Sequence, residues 1–285
     1  MTAGLNIAAL AQRTGVAADT LRKWEQRYRI LTPERTAGGQ RRYSERDVAR
    51  VEWLRERLDE GYRISEAASL LGTLGTAPAR SAKEHLSAVL DALDSGPPEQ
   101  IGLRLDQAFA LLRVDEVIGS VIRPLLQEVG DRWKQGKLSV ADEHLVSEAV
   151  RSRLGHLLAD AGGGVRGVAV LACAPGEHHE LGLMMAAISM RRDGWKVVYL
   201  GADTPLRDAL ALAGRMQARV LGLSLSAPKR AETLERELAA ARVPEGVSLV
   251  LGGAASTSAL AKKLGAVNAG TKLPDAIERL RALSA

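Results

Sequence analysis

The sequence predicts a multidomain protein with an α-helical part followed by an α/β part, and three patterns support this. Near the N-terminus, two short helical segments are joined by a glycine-containing turn, and a glycine pair among basic residues follows. Residues 83–161 keep a helical periodicity with three breaks. After Gly162-Gly163-Gly164, short apolar runs alternate with helical stretches, as in a parallel α/β sheet.

The N-terminal helices have the arrangement of a helix-turn-helix. The first covers residues 6–13, Thr14-Gly15-Val16 interrupts it, and Asp19 begins a second helix through residues 20–28. Two short helices joined in this way are typical of DNA-binding domains, in which the second helix enters the major groove.

The next segment is expected to form a hairpin wing and a third helix. In residues 35–43, Gly38-Gly39 lies between polar and basic side chains, which favours a tight turn. Ser44 and the acids after it are typical of a helix N-terminus, and this helix is expected to run to Gly61. Residues 64–71 form a shorter helix. The N-terminal domain is therefore predicted to be a winged helix-turn-helix.

Two further domains follow. Breaks near Pro97-Pro98, Arg113-Val114 and residues 136–139 divide the middle segment into four helices, most simply a four-helix bundle. The C-terminal segment is predicted to be a Rossmann-like (flavodoxin-like), doubly wound parallel sheet. Its expected strands are 168–173, 196–200, 220–225 and 247–251, and its expected helices are 180–193, 205–217, 231–241 and 256–264. The predicted domains are 1–73, a linker at 74–82, the bundle at 83–162 and the α/β domain at 163–285.

Composition narrows the class of protein. A chain of 285 residues suits two or three domains. The single cysteine, Cys173, rules out an intrachain disulfide and is expected to be a small buried apolar residue. No charged segment followed by an apolar run begins the chain, and its apolar runs are far too short to cross a bilayer. We therefore expect a soluble, cytoplasmic protein without a membrane partner.

Basic residues concentrate where the DNA-binding domain is predicted. The net charge of +5 is mild, but residues 1–71 hold twelve Arg and one Lys against ten acids. The planar guanidinium fork suits phosphates and guanine edges, which fits a double-stranded DNA operator as partner, but composition alone fits a solvated charged surface equally well. The candidate DNA contacts on the second helix and in the wing are Thr20, Arg22, Lys23, Arg27, Arg41, Arg42 and Tyr43.

The ordered pattern from residue 7 to residue 47 resembles the MerR family of transcription regulators. It comprises Leu10-Ala11, Thr14-Gly15-Val16, Thr20-Leu21-Arg22, Trp24-Glu25, Gly38-Gly39 and Arg41-Arg42-Tyr43-Ser44. The resemblance implies a MerR-type winged helix-turn-helix, with Trp24 as a core aromatic. The usual MerR dimer needs a long antiparallel coiled coil after the winged domain, and this sequence predicts none. Assembly is therefore expected to depend on the C-terminal half.

Two adjacent histidines follow the first strand of the α/β domain. Loops at the carboxyl ends of parallel strands line the ligand crevice, so either His178 or His179 could reach a ligand or a metal. No Gly-x-Gly-x-x-Gly follows this strand, which disfavours NAD.

Glu177-x-His179-x-x-Gly182 resembles the Asp-x-His-x-x-Gly element of base-off, His-on cobalamin-binding domains. The resemblance implies that His179 is the lower axial ligand of cobalt, that Glu177 holds the other imidazole nitrogen, and that Gly182 leaves room for the nucleotide tail. The spacing to Gly182 favours His179 over His178.

Two more elements occur at the intervals of that family. Ser224-Leu225-Ser226 begins 42 positions after Gly182, where the family has Ser-x-Leu, and Ser226 departs from the final Leu. Gly252-Gly253 follows the last expected strand, where the family has a glycine pair beside the tail pocket. The resemblance therefore adds Ser224, Ser226, Gly252 and Gly253 to the cofactor-binding residues.

The bundle carries a second signature. Trp133, followed ten positions later by Glu143-His144, resembles the Trp-x9-Glu-His element of CarH-type photoreceptors. In those proteins Trp and Glu cap the upper face of adenosylcobalamin, and His144 would belong to the same wall. A helix-packing role for Trp133 is the alternative. The domain order resembles the CarH type over the whole chain. This implies a non-enzymatic, adenosylcobalamin-dependent repressor that forms a homotetramer in the dark and dissociates in light.

One departure keeps other functions open. Lys134 stands where CarH-type photoreceptors commonly carry a His that ligates cobalt once the adenosyl group has left. The second hypothesis is thus a regulator that senses cobalamin, or its upper ligand, without light; its homo-oligomer could be a dimer or a tetramer. A corrinoid carrier or enzyme is disfavoured, because a DNA reader is fused to the chain and no substrate-activating module is recognisable.

Overall fold

The computed structural model describes residues 4–36, 38–59, 63–65, 67–68, 71, 81–159, 164–270 and 273–283. The chain divides into two compact units, Met1–Val150 and Arg151–Ala285. Most of the expected linker, residues 74–80, and Gly162-Gly163 lie outside the described residues. In the described part, no helix is both long and apolar enough to cross a bilayer.

The first unit begins with the predicted helix-turn-helix and wing. Its elements are α1 (Ile7–Thr14), α2 (Ala18–Tyr28), β1 (Glu34–Arg35), β2 (Arg41–Arg42) and α3 (Glu45–Asp59). Gly15 adopts φ 69°, which ends α1 and allows the tight turn. β1 and β2 pair antiparallel, as expected of a wing. Ser44 and Asp47 cap α3 reciprocally, with the Ser44 N–H donating to the Asp47 carboxylate over 2.8 Å.

The start of α2 differs slightly from the expectation. The helix begins at Ala18, and Ala17 at its N-cap makes no side-chain capping bond. Asp19 therefore lies inside the first turn, where its carboxylate pairs with Arg22 over 2.8 Å.

The winged domain has an apolar core formed largely by Leu10, Leu21, Tyr43, Val51 and Leu54. Trp24 is 8% exposed within it, which confirms its expected core role. The described residues of the predicted 64–71 helix, namely 64, 65, 67, 68 and 71, are helical.

The bundle helices break where the sequence predicts. They are α4 (Ala82–Ser95), α5 (Glu99–Leu111), α6 (Val114–Val117), α7 (Arg123–Lys134) and α8 (Val140–Ala159). A π-helical turn, Ile118–Ile122, joins α6 to α7. Pro124 follows it, and the wider turn fits a residue that lacks an N–H and crowds the carbonyl four positions earlier.

The second unit holds the predicted parallel sheet. Its strands are β3 (Val168–Cys173), β4 (Lys196–Gly201), β5 (Val220–Ser224), β6 (Ser248–Gly252) and β7 (Val267–Gly270). Its helices are α9 (Leu181–Arg192), α10 (Leu206–Arg215), α11 (Ala231–Ala239), α12 (Ser258–Lys263) and α13 (Leu273–Ala282), with a 3₁₀ turn at Pro228–Arg230. β7 and α13 are absent from the sequence prediction.

The strand order is β4-β3-β5-β6-β7, the flavodoxin-like order, and all the pairs are parallel. Leu223 and Leu251 pack toward α10 and α11, whereas Ala169 and Leu171 belong to a core on the other face with Met190 and Leu280. The chain leaves β3 toward β4 and later crosses to β5 on the opposite side. The direction in which strands are added therefore reverses at β3. At this topological switch point the loops after β3 and β5 lie beside each other.

Candidate functional site

Glu177 is a buried carboxylate at the point where the loops after β3 and β5 meet. It lies in the loop after β3 and is 1% exposed. Its Oε2 accepts the backbone N–H groups of Ser226 and Ala227, each over 2.8 Å, from the loop after β5. Its Oε1 accepts the backbone N–H of His179 over 3.0 Å. One carboxylate therefore holds two loops together across the carboxyl edge of the sheet.

The Glu177 carboxylate keeps its charge despite this burial. Burial alone would raise the pKa of Glu177, but N–H donors from His179, Ser226 and Ala227 together outweigh it and lower the pKa to about 2. An ionised carboxylate is a strong acceptor for an imidazole N–H.

His179 is oriented by that carboxylate. Its Nδ1 lies 2.6 Å from Glu177 Oε1, while the side chain is 78% exposed. A proton on Nδ1 leaves the lone pair on Nε2, the nitrogen that can bind a metal. His178 is also exposed, but no bond joins it to Glu177. The described residues contain no group of three His, Cys, Asp or Glu side chains placed to hold a metal.

The glycines of the site differ in what they allow. A Cβ at Gly182, the second residue of α9, would meet no heavy atom within 4 Å, so this glycine borders open space. Gly253 has φ +101°, and a Cβ there would lie 2.5 Å from the Leu225 carbonyl oxygen. A Cβ at Gly252 would make an ordinary 3.6 Å contact with Ala269. Gly182 thus fits a passing ligand, whereas Gly253 is needed for close backbone packing.

The two serines lie in and after β5. Ser224 is 7% exposed, and its carbonyl accepts the Ala174 N–H over 2.9 Å. Ser226 reaches the site through its backbone N–H on Glu177. These residues shape the loop beside Glu177.

Sequence reasoning missed a second carboxylate cluster beside His179. Glu180 accepts the Tyr199 hydroxyl over 2.8 Å and pairs with Arg151. Burial raises the pKa of Tyr199, and burial followed by the Glu177 charge raises that of Cys173 to about 12. Cys173 is therefore a buried, unreactive thiol, which confirms the expectation. The residues bonded to Glu180 are 19 and 29 positions away, so no local pattern could reveal this cluster.

In the first unit, Trp133 lies near the end of α7 and is 47% exposed, so its indole is not buried among the bundle helices. Glu143 and His144 lie in the first turn of α8 or just after it, with 3.6 Å between Glu143 Oε2 and His144 Nε2. Lys134 is also exposed, and its Nζ lies 3.4 Å from Asp131.

The candidate DNA contacts lie on α2 and β2. Arg22, Lys23, Arg27 and Arg41 are exposed, and Thr20 and Arg42 are half-buried. Tyr43 departs from the expectation of a phosphate contact, because its ring is fully buried and its hydroxyl donates to Glu25 over 2.9 Å. Burial, followed by Glu25, raises the pKa of Tyr43 to about 12. Tyr43 therefore lies behind the DNA-facing surface.

Three family models match the chain. Residues 5–74 match the MerR HTH family regulatory protein, and residues 86–158 and 167–274 each match a B12 binding domain. The chain is also similar in fold to the monomethylamine corrinoid protein of Methanosarcina barkeri. That likeness has a TM-score of 0.58 at 15% identity, and it covers 71% of this chain and 100% of that one.

Curated relatives cover the full domain order. The chain is 39% identical over 269 residues to the HTH-type transcriptional repressor CarH of Myxococcus xanthus, across 89% of each chain. It is 36% identical over 221 residues to the repressor CarA of the same organism, across 74% of this chain and 71% of CarA. One chain thus contains a MerR-type DNA-binding domain, a B12-type helical bundle and a B12-type α/β domain. The α/β domain carries the oriented histidine. The chain belongs to the CarH and CarA family of cobalamin-dependent, MerR-type transcription regulators.

Proposed function

We propose that this regulator is a cytoplasmic repressor controlled by adenosylcobalamin and light, in which the bound cofactor sets both the oligomeric state and the affinity for DNA. The observation that carries the proposal is the Glu177–His179 pair, which presents one exposed imidazole nitrogen in a chain that also contains a DNA reader. The chain acts as a regulator and not as an enzyme.

In this proposal His179 is the lower axial ligand of cobalt, and Glu177 fixes the ring through Nδ1. The open space at Gly182 admits the nucleotide tail. Ser224, Ser226, Gly252 and Gly253 form the loops beside it.

In the same proposal, Trp133, Glu143 and His144 of the bundle would form the wall around the upper ligand. The half-exposed indole of Trp133 supports this role, because it offers apolar surface that the bundle leaves uncovered. Adenosylcobalamin supplies, when bound, a cobalt–carbon bond that light can break. The residues themselves orient the upper ligand and exclude water around it.

At the DNA end, domain 1–73 reads the operator. Thr20, Arg22, Lys23 and Arg27 on α2 face the major groove, and Arg41 and Arg42 contact phosphates from the wing. Residues 74–82 connect this domain to the bundle at 83–162, and residues 163–285 hold the cofactor.

A second candidate is a regulator that senses cobalamin without light. The observation that favours it is the Lys134–Asp131 ion pair, with 3.4 Å between Nζ and the carboxylate. A lysine ammonium has no lone pair for a metal. If Lys134 keeps its proton, it cannot replace the departing upper ligand, and a photoproduct held by a second protein ligand at this position would not form.

The full chain, loaded with adenosylcobalamin in darkness, tests both candidates. Its absorption spectrum and its affinity for a duplex that it has enriched from a random-sequence pool are measured before and after green light. A light sensor changes its spectrum and loses affinity together.

Two results separate the alternatives. DNA binding that requires the cofactor but survives illumination favours the light-independent sensor. Binding that is identical with and without cobalamin contradicts both candidates.

Arg22→Ala and Arg42→Ala, tested on the same duplex, check the DNA-binding surface. Unchanged affinity in the double variant would place the interface elsewhere.

A further inference from the structure

Glu25 lies where the recognition helix meets the wing. It is in the last half of α2, and its side chain is 17% exposed. Its Oε1 accepts the Nε–H of Arg41 over 2.8 Å, and its Oε2 accepts the hydroxyl of Tyr43 over 2.9 Å. One carboxylate oxygen is therefore bound to β2, which forms one side of the wing, and the other to Tyr43, the residue that follows β2.

A carboxylate at this place is electrostatically unfavourable for a DNA reader. Phosphates repel a nearby negative charge, and affinity for DNA grows with the number of phosphates that cations neutralise. A glutamate retained among the candidate DNA contacts must therefore gain something from its partners.

The wing depends on side-chain contacts to fix its position, because β1 and β2 are only two residues each. Side chains two positions apart on a strand share a face, so Arg41 and Tyr43 both point toward Glu25 while Arg42 points away. Tyr43 is fully buried and bridges to Leu5 through its backbone, which makes it a fixed point. Glu25 joins that fixed point to the exposed side chain of Arg41.

We propose that Glu25 is a positioning residue that holds Arg41 by its Nε–H, so that the terminal N–H groups of the guanidinium are presented to a DNA phosphate. This rests on the proposed phosphate contact of Arg41. Arg41 is 46% exposed, so a guanidinium held at one nitrogen still has accessible donors. Fixing a long side chain in advance removes the entropy cost of ordering it on DNA.

The test compares Glu25→Gln with Glu34→Gln in the cobalamin-loaded full chain in darkness. Each variant removes one negative charge from the winged domain. Glu34 is exposed in β1, and its carboxylate makes no hydrogen bond or ion pair with another described residue, so it serves as the charge-matched control. The probe is the duplex that the parent protein enriches from a random-sequence pool, titrated at several salt concentrations.

Glu34→Gln should bind this duplex as tightly as the parent chain or more tightly. Glu25→Gln should bind roughly fivefold more weakly at physiological salt, with the salt slope reduced by about one phosphate contact. Arg41→Ala should show the same two changes, and the double variant should be no weaker than Arg41→Ala alone.

Three results would overturn the proposal. Tighter binding by Glu25→Gln would mean that Glu25 competes with phosphate for Arg41. A loss with an unchanged salt slope, or one that adds to that of Arg41→Ala, would mean that Glu25 acts only through stability. If the parent protein enriches no duplex, the proposed DNA-binding function fails, and this inference fails with it.

Discussion

At the scale of single residues, Glu177 combines burial with charge. It accepts four hydrogen bonds, two of them from His179 and two from backbone groups beyond β5. Such bonds offset the cost of taking a carboxylate out of water. The same carboxylate orients the His179 ring through Nδ1, so stability and the orientation of the proposed ligand depend on one side chain.

Glu177→Gln should destabilise the cofactor-free chain by about 2–3 kcal/mol at neutral pH, because an amide cannot accept all four bonds. The folded pKa of about 2 lies below the unfolded value, so the contribution of Glu177 is present above about pH 4 and is lost as the pH falls toward 2. Urea unfolding at neutral pH and at about pH 3 should therefore show the gap between the two chains narrowing by about half. A constant gap would show that the charge of Glu177 is not the stabilising feature.

Replacing the two histidines separately should distinguish their roles. His179→Ala should lose the axial imidazole, because only this ring is held by Glu177. His178→Ala should keep it. Electron paramagnetic resonance of the reduced, cobalamin-loaded proteins detects a coordinating imidazole nitrogen through its hyperfine splitting. Equal loss in both variants would mean that the ligand is wrongly assigned.

At the scale of elements, the loops after the strands shape the crevice, and two glycines in them have opposite requirements. Gly253 sits against the Leu225 carbonyl, and Gly182 at the start of α9 borders open space. Gly253 is required by the fold, whereas Gly182 is proposed to leave room for the ligand.

Gly253→Ala should cost about 2–4 kcal/mol of folding free energy, since its φ is +101° and its Cβ would overlap Leu225. Gly182→Ala should leave stability unchanged or raise it slightly, because alanine is favoured in an exposed helical turn. It should nevertheless weaken cobalamin binding by roughly tenfold or more. Thermal unfolding and cobalamin titration of both variants check this, and a stable Gly182→Ala chain with parental affinity would remove Gly182 from the site.

Within the first unit, an ion pair and a shared core join the winged helix-turn-helix domain to the bundle. Arg57 on α3 pairs with Asp106 on α5 over 3.7 Å, and both side chains are nearly buried. Arg57 also lies 5.5 Å from the centre of the Trp53 ring. Ala110 of α5 belongs to the core of the winged domain. The winged helix-turn-helix domain and α5 therefore share one apolar core.

Removing one partner should leave the other charge buried. Arg57→Met or Asp106→Leu alone should destabilise the first unit by about 3–5 kcal/mol, whereas the double variant should lose much less than the sum. Urea unfolding of the four chains completes the cycle. Additive losses would show that the two side chains do not interact.

At the scale of the whole molecule, the proposed cofactor residues are distributed over both units. Trp133, Glu143 and His144 belong to Met1–Val150, and Glu177, His179 and Gly182 belong to Arg151–Ala285. Among the described residues the longest helix, α8, has 20 residues and carries part of this set.

Assembly should therefore depend on the cofactor. Light scattering should give a larger mass for the chain loaded with adenosylcobalamin in darkness than for the cofactor-free chain, and illumination should reverse the increase. His179→Ala serves as the control that cannot hold the cofactor in the same way. An identical mass in all of these states would contradict cofactor-controlled assembly.

Most of the fold was predictable from the sequence, because helical periodicity and apolar runs are local signals. The helix-turn-helix, the wing, the breaks between bundle helices and four of the five parallel strands follow from them. The sequence did not predict β7 and α13, and for the strand there is a physical reason. Val267–Gly270 is a four-residue edge strand containing Asn and Gly, and it lacks the continuous apolar run of a buried strand.

The sequence by itself determined the order of the domains and the class of cofactor, and it singled out His179 as the candidate ligand, since each depends on residue types at short, fixed spacings. Only the tertiary structure decided which groups those residues bond. Glu177 binds the backbone of Ser226 and Ala227, 49 and 50 positions away, and Glu25 binds Arg41 and Tyr43, 16 and 18 positions away. Likewise, the burial of Tyr43 and the Arg57–Asp106 pair have no local signature. Contacts at such separations depend on how complete elements pack, and packing is a property of the folded chain.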